Sequence, residues 1–368
     1  MQFEKKQDVI FPKETNSFAA GGVASFDITR ELPIESMFLK MTWSVSAYTS
    51  PTFTAEGPPA HVRRLVMSGA DGARTRNCID LSGVGAIEFS KHITGYIDPI
   101  TGSQVNSNRA AGTYAPTFAA STDYSIIYPI HFALPQLEDP LSSVFLLPVD
   151  RYNANPTLQV QFAAAADVFS AGTFTGQTAR LSLLINRRII NRLNWPVVDA
   201  ELIEMNKAWG ATGADQDWDI PITGYYTGLL QRDFRTSAIR GALDAATIGD
   251  YSDADNTNFS KIELSGNTLR RHRMADVEYE NDLSEATGSG QGDQLAGSFF
   301  HDFLSDRVGG DSGDPGVALG SCLNANIPLN SGARLTIKKN VQTVTAGQTR
   351  TNLLYHRFFA NIKDLQFA

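Results

Sequence analysis

The stretch FLLPVDRYNANPTLQVQF, Phe145 to Phe162, occurs in two versions along the chain. It runs from an apolar segment through Pro148 and Asp150 into a polar loop, then into an alternating strand with Leu158 and Val160. ANIPLNSGARLTIKK, Ala325 to Lys339, keeps that order: Pro328, Asn330, a polar loop, then Leu335 and Ile337. The following text also corresponds. SAGTFTGQTARLSLLINRRII (Ser170 to Ile190) and TAGQTRTNLLYHRFFANI (Thr345 to Ile362) each hold Ala-Gly, Gln-Thr, an Arg, Leu-Leu and a closing Arg-containing strand. Ordered matches about 175 residues apart in a 368-residue chain indicate two similar domains.

Outward from these phrases the dominant period is two. In MFLKMTWSVSA, Met37, Leu39, Met41, Trp43 and Val45 share one face, with Phe38, Lys40, Thr42, Ser44 and Ser46 on the other, as in a half-buried strand. SFDIT, HVRRLVMSG, GAIEFSKHITGYI, YSIIYPIHFALP, TLQVQF and ARLSLLINRRII read as further strands, punctuated by Gly, Pro, Asn and Asp. The second half repeats the style with WDIPITGYY, LLQRDFRTSAI, FSKIELSG, CLNANIPL, ARLTIKKNVQTV and TNLLYHRFFANI. PQLEDPLSSV could hold one helical turn, and MADVEYENDLSEA and GSFFHDFLSDRV read as more helical. The expected class is therefore all-β: two tandem eight-stranded jelly rolls with a few short helices in loops. The expected division is an N-terminal arm over 1–16, one jelly roll over 17–192 and a second over 193–368, with LNWPVV at the joint. Met37, Leu39, Met41, Trp43, Leu158, Val160, Phe162, Leu335 and Ile337 are the expected core.

Composition narrows the function. Apolar residues make up 42% and charged residues 19%, enough for two sizeable cores. A net charge of −8 argues against a protein-wide nucleic-acid surface, which needs dense Lys and Arg. The two cysteines, Cys78 and Cys322, fall in different halves and read as free, buried residues of a reducing compartment. The first residues show no apolar run of signal-peptide length, and no segment reaches the length of a membrane helix. The expectation is a soluble protein that stays where it is made.

No constellation supplies chemistry. GGDSGDPG (Gly309 to Gly316) resembles the nucleophile loop of chymotrypsin-like proteases but has Asp314 where that pattern has Gly, and no base with its orienting acid can be assigned. Asp250, Asp253 and Asp255 offer oxygen ligands for a cation, without EF-hand spacing. The six histidines are scattered and lack the His-x-His of metal-binding cupins. TGSGQGDQ has no strand-then-helix setting for a phosphate cradle. Trp209 and Trp218 in KAWGATGADQDWDI are candidates for an exposed aromatic platform of a carbohydrate- or receptor-binding module. No enzyme activity, cofactor or bound metal is expected. Two segments suit contacts with other molecules: the end of LINRRIINR, with Arg187, Arg188 and Arg192, and the arm, with Lys5, Lys6 and Phe11. The arm holds too little apolar surface to order itself, so it is expected to fold against neighbours and to be dispensable for the fold.

The polar arm entering ASFDITRELPIESMFLKMTWSVSA, the duplicated Pro-to-strand phrases and the closing strands near Ile190 and Ile362 resemble the double-jelly-roll major capsid proteins of tailless icosahedral double-stranded DNA viruses and phages with an internal membrane. The resemblance implies homotrimers of pseudo-hexagonal outline that tile a shell. It implies partners in penton and minor capsid proteins and, through the arm, the viral membrane, but no direct contact with nucleic acid. It also implies synthesis in the host cytoplasm and residence in the virion, with the 245–258 and 286–316 loops facing outward or capping the trimer. The alternatives from other classes are a double-jelly-roll glycan-cleaving amidase and a carbohydrate- or receptor-binding spike module.

Overall fold

Twenty consecutive residues, Ile34–Phe53, form one strand whose alternation sets the first core. Met37, Leu39, Met41 and Trp43 are fully buried, while Phe38, Thr42 and Ser44 between them are only partly covered. The computed structural model of the chain describes residues 4–13, 21–54, 56–71, 74–94, 100–101, 124–133, 145–189, 198–234, 259–265, 267–273, 298–303, 323–324, 334–341 and 344–359. The chain divides into two compact units, Met1–Glu204 and Met205–Ala368.

The first unit uses eight principal strands: β1 (Glu4–Ile10), β2 (Val23–Asp27), β3 (Ile34–Phe53), β4 (Val62–Asp71), β5 (Arg74–Leu81), β6 (Tyr124–His131), β7 (Thr157–Phe162) and β8 (Phe169–Ile189). One sheet has the order β1-β8-β3-β6, extended by a short strand at Ile100–Thr101; the other runs β2-β7-β4-β5. The antiparallel β3–β8 ladder runs from Phe53 opposite Phe169 to Ile34 opposite Arg187, with three bulges. Trp43, Phe53 and Phe169 cluster with His61 at one end of this ladder, Trp43 lying 4.4 Å from His61 ring to ring.

Val198–Ala208 (β9) contains the unit boundary. The second unit continues with β10 (Gly213–Ile220), β11 (Tyr225–Phe234), β12 (Phe259–Leu264), β13 (Asn267–Arg273), β14 (Ser298–Asp302), β15 (Leu335–Val341) and β16 (Arg350–Phe359). Its strand orders are β9-β16-β11-β14 and β10-β15-β12-β13. Adding eight to every strand number of the first unit gives the second. The repeated phrases therefore build equivalent strands, β7 with β15 and β8 with β16. The short apolar pieces ahead of them match as well. Leu147 bridges Ile34 at the start of β3, and Leu323–Asn324 pairs with Tyr225 and Tyr226 at the start of β11. All nine expected core residues are buried.

Three local expectations are corrected. GAIEFSKHITGYI is not a strand: Gly83–Thr94 forms helix α1. Ser82 caps it, its Oγ accepting the Gly85 N–H at 2.9 Å, and residues 83–91 are buried on every side, so alternation has no bearing there. GSFFHDFLSDRV is not helical over its described part, because Ser298–Asp302 adds to β11 as a strand with Ser298 and Phe300 buried. WDIPITGYY is two strands. Pro221 cannot continue the ladder, and Gly224 turns the chain at φ 86°, where a Cβ would sit 2.8 Å from the Phe358 carbonyl oxygen. Cys78 is buried, its thiol donating to the Met67 carbonyl at 3.1 Å. PQLEDPLSSV, MADVEYENDLSEA and Cys322 lie outside the described residues.

Leu335→Ala should lower unfolding free energy by roughly 2–5 kcal/mol, and Ser82→Ala by about 1 kcal/mol. Denaturant titration of both variants checks this. An unchanged midpoint for Leu335→Ala would contradict the register assigned to β15.

Candidate functional site

The expected interaction residues meet at the first strand. In the β1–β8 ladder Lys5 stands opposite Arg188, and Lys6 opposite Arg187. Cations on neighbouring backbone positions need counter-charges, and the chain supplies them locally to Lys6, Arg187 and Arg188. Arg187, 1% exposed, donates to Asp8 Oδ2 at 2.8 Å, to the Leu32 carbonyl at 2.8 Å and to Thr29 Oγ1 at 3.2 Å. Arg188 grips Glu35 through two donors at 2.9 and 3.0 Å. Lys6 pairs with Glu31 and lies 3.3 Å from Asp8. The Glu31 partner raises the Lys6 pKa, and Lys6 holds the Glu31 carboxyl below its usual range. Asp8 from β1 and the 29–35 segment ahead of β3 thus converge on the end of β8.

This corrects the arm. Glu4–Ile10 lacks apolar surface of its own but borrows a ladder edge and a buried arginine from residues about 180 positions away. It is the first strand of the first jelly roll, and Arg187 and Arg188 are spent holding the unit together rather than solvated at a strand end. Beyond the strand, Lys13 continues the attachment: its N–H reaches the Ser25 carbonyl at 2.9 Å and its Nζ pairs with Asp27 at 2.6 Å. Lys13 in turn holds the Asp27 carboxyl below its ordinary range. Three apolar side chains near these anchors stay exposed. Val9, Phe11 and Val23 are 58%, 71% and 47% exposed, the large exposed hydrophobic residues among those described.

The second unit has a polar group inside its sandwich. Asp233 of β11 and Lys339 of β15 form an ion pair, both side chains almost wholly enclosed. Thr351 Oγ1 donates to Asp233 Oδ1 at 2.7 Å, Gln231 Nε2 donates to Oδ2 at 3.0 Å, and Trp209 Nε1 donates to Thr351 Oγ1 at 2.9 Å. Burial pushes the Lys339 pKa down. Trp209 and Trp218 are buried, so the aromatic platform expected there does not exist: Trp209 serves this core network. No pattern in the sequence announces the network, because its members come from four separate segments.

Asp250, Asp253, Asp255, Arg192 and the 309–316 loop lie outside the described residues, as do the side chain of Lys5, the whole 245–258 loop and the 286–316 loop apart from 298–303. Among the described residues no three His, Cys, Asp or Glu side chains come together as a metal site. Nor is any described helix long and apolar enough to cross a membrane. The buried histidines are structural. Burial depresses His61 to about 3, and burial depresses His131 to about 4 despite the nearby Glu35 carboxylate.

Two eight-stranded sandwiches in tandem, each with one sheet ordered first-eighth-third-sixth and the other second-seventh-fourth-fifth, define a double jelly roll. No protein-family model and no curated protein matches the sequence. Solved structures match the fold along nearly all of it. The STIV major capsid protein (Sulfolobus turreted icosahedral virus) aligns over 98% of this chain and 98% of its own, with TM-score 0.63 and 14% identity. The major capsid protein P2 of bacteriophage PM2 aligns over 97% of this chain and 99% of its own (TM-score 0.54, 12% identity). The PBCV-1 virus capsid protein covers 97% and 94% (TM-score 0.55, 12% identity). At these identities the likeness is one of fold.

Arg187→Leu leaves Asp8 with Lys6 alone and should cost about 3 kcal/mol, the low end for a buried pair because Asp8 keeps Lys6 and some solvent. Limited proteolysis should then cleave within 4–13 before the rest of the unit; equal protection of that segment would contradict the attachment. The pH dependence follows from His61. An imidazole with a folded pKa near 3 lets the unfolded chain take the proton first. Stability is therefore full above about pH 6.5 and falls as pH drops toward the folded value, by about 2 kcal/mol at pH 5. His131, depressed to about 4, adds a loss of the same sign and similar size, so His61→Gln should roughly halve the slope in melts taken from pH 7 to pH 5, and an undiminished slope would assign the acid sensitivity elsewhere.

Proposed function

We propose that the chain is the major capsid protein of a tailless icosahedral virus, building the shell from homotrimers. The observation that carries this reading is the strand-for-strand repetition of one jelly roll within one chain. Three copies of a two-unit chain present six nearly equivalent units under closed threefold symmetry, so one gene product can tile a flat facet. The major capsid proteins that share the fold over nearly the full chain support the reading.

The finer parts of the proposal rest on the first strand and its surroundings. Val9 on the first strand, Phe11 just after it and Val23 at the start of β2 are exposed apolar residues on segments already fastened to the unit. We assign these residues to contacts made on assembly, with an internal membrane beneath the shell or with adjoining capsid proteins, pentons and minor proteins included. The virus infects its host as a double-stranded DNA virus or phage, and the protein is made in the host cytoplasm and resides in the virion. Its role is structural and non-enzymatic. The receptor-binding alternative loses its motivating feature with the burial of Trp209 and Trp218.

Light scattering of the purified protein should give three times the chain mass; a stable monomer under native conditions would overturn the proposal. Phe11→Ser should leave the trimer's melting temperature unchanged and reduce particle yield. Deleting residues 2–13 should lower the melting temperature, because it removes β1 and leaves Arg187 without Asp8. A truncated protein as stable as the full chain would contradict the pairing of that strand.

A further inference from the structure

Lys339 and Asp233 belong to opposite sheets of the second jelly roll, and neither keeps access to water. Such a pair is a poor stabiliser, since the desolvation of two charges offsets most of their attraction and apolar residues of similar volume do as well. Its surroundings, however, are those of a condensation site. The Asp233 carboxyl receives one neutral donor on each oxygen, Thr351 Oγ1 on Oδ1 and Gln231 Nε2 on Oδ2, while Lys339 Nζ meets the carboxyl on the Oδ2 side. Thr351 is itself oriented by the Trp209 indole N–H, so its hydroxyl proton points at Oδ1.

We propose that Lys339 and Asp233 become joined by an intramolecular amide (isopeptide) bond that ties the two sheets of the second jelly roll together. The inference does not depend on the capsid reading. The Lys339 ammonium, whose pKa burial lowers, first passes a proton to Oδ2, which leaves a neutral amine as nucleophile beside the carboxylic acid. Nζ attacks Cγ. Charge developing on Oδ1 is held by the Thr351 hydroxyl, in the manner of an oxyanion donor. A second proton moves from Nζ to Oδ2, the C–Oδ2 bond breaks and one water leaves. The C–N bond forms without any change of oxidation state, so no oxidant, reductant or activating nucleotide is consumed. Two strands hold the reacting groups in contact, which replaces a bimolecular encounter with an intramolecular one.

Intact-mass measurement on the denatured full-length protein tests this directly. The expected result is a chain lighter than its sequence by one water. A tryptic digest should yield a branched peptide that joins the segments around Asp233 and Lys339. Lys339→Arg should restore the full sequence mass, and Thr351→Ala should slow closure roughly 100-fold in freshly made protein. Should Lys339→Arg fail to fold, the wild-type digest alone decides. Wild-type protein at full mass, fresh and aged, with the Lys339 peptide recovered unbranched, overturns the proposal. Closure at the wild-type rate in Thr351→Ala overturns the role given to Thr351.

Discussion

Strand register is the constraint on which the rest of this molecule depends. Side chains on a strand alternate between faces, so a slip of one residue in the β3–β8 ladder would move Met37, Leu39, Met41 and Trp43 from the core to the solvent and bring Phe38, Lys40, Thr42 and Ser44 inside. The slip would also move Arg187, which stands opposite Ile34, away from the Leu32 carbonyl and Thr29. Burial along β3 and the seating of the arginine that holds Asp8 of β1 are thus set by one choice. Because β1 starts the jelly roll, the polar beginning of the chain belongs to the fold even though its composition reads as an arm.

What the sequence made legible, and what it hid, follows from the range of each interaction. Alternation is local, and it exposed β3, β4, β7, β8, β12, β15 and β16. The duplicated phrases are local too, and they mark strands that prove topologically equivalent. Helix α1 departs from the strand reading because it is buried on every side: Glu88 and Lys91, ion-paired at 3.3 Å, lie inside with Ile87 and Phe89, so no alternation marks a face. Its real signal was Ser82 at the cap. β14 was taken for helix because SFFHDFL carries little alternation of its own, and its conformation is imposed by pairing with β11. The Asp8–Arg187 and Asp233–Lys339 pairs join residues more than a hundred positions apart, and no pattern in a single sequence announces such partners. Lys5, Lys6, Arg187 and Arg188 meet in one register, but a buried guanidinium with three partners, as at Arg187, is unavailable to a neighbouring subunit.

The two units share a topology but solve core packing differently. Aromatic rings fill one end of the first sandwich, where Trp43, Phe53, His61 and Phe169 meet. A hydrogen-bonded ionic group crosses the second, running from Trp209 through Thr351 and Asp233 to Lys339. Topology here is set by where turns and alternation fall, and many side-chain fillings satisfy it, which is how chains with 12–14% identity reach one fold. The same tolerance lets two halves of one chain diverge while keeping one topology, and in the proposed assembly their equivalent outlines would occupy equivalent corners.

That equivalence of outline is most directly tested by electron microscopy of the purified full-length protein, with class averages viewed down the symmetry axis. Three two-unit chains predict particles with six lobes of nearly equal size around a threefold axis. Two-lobed single chains, or rings whose lobe number is not six, would contradict it.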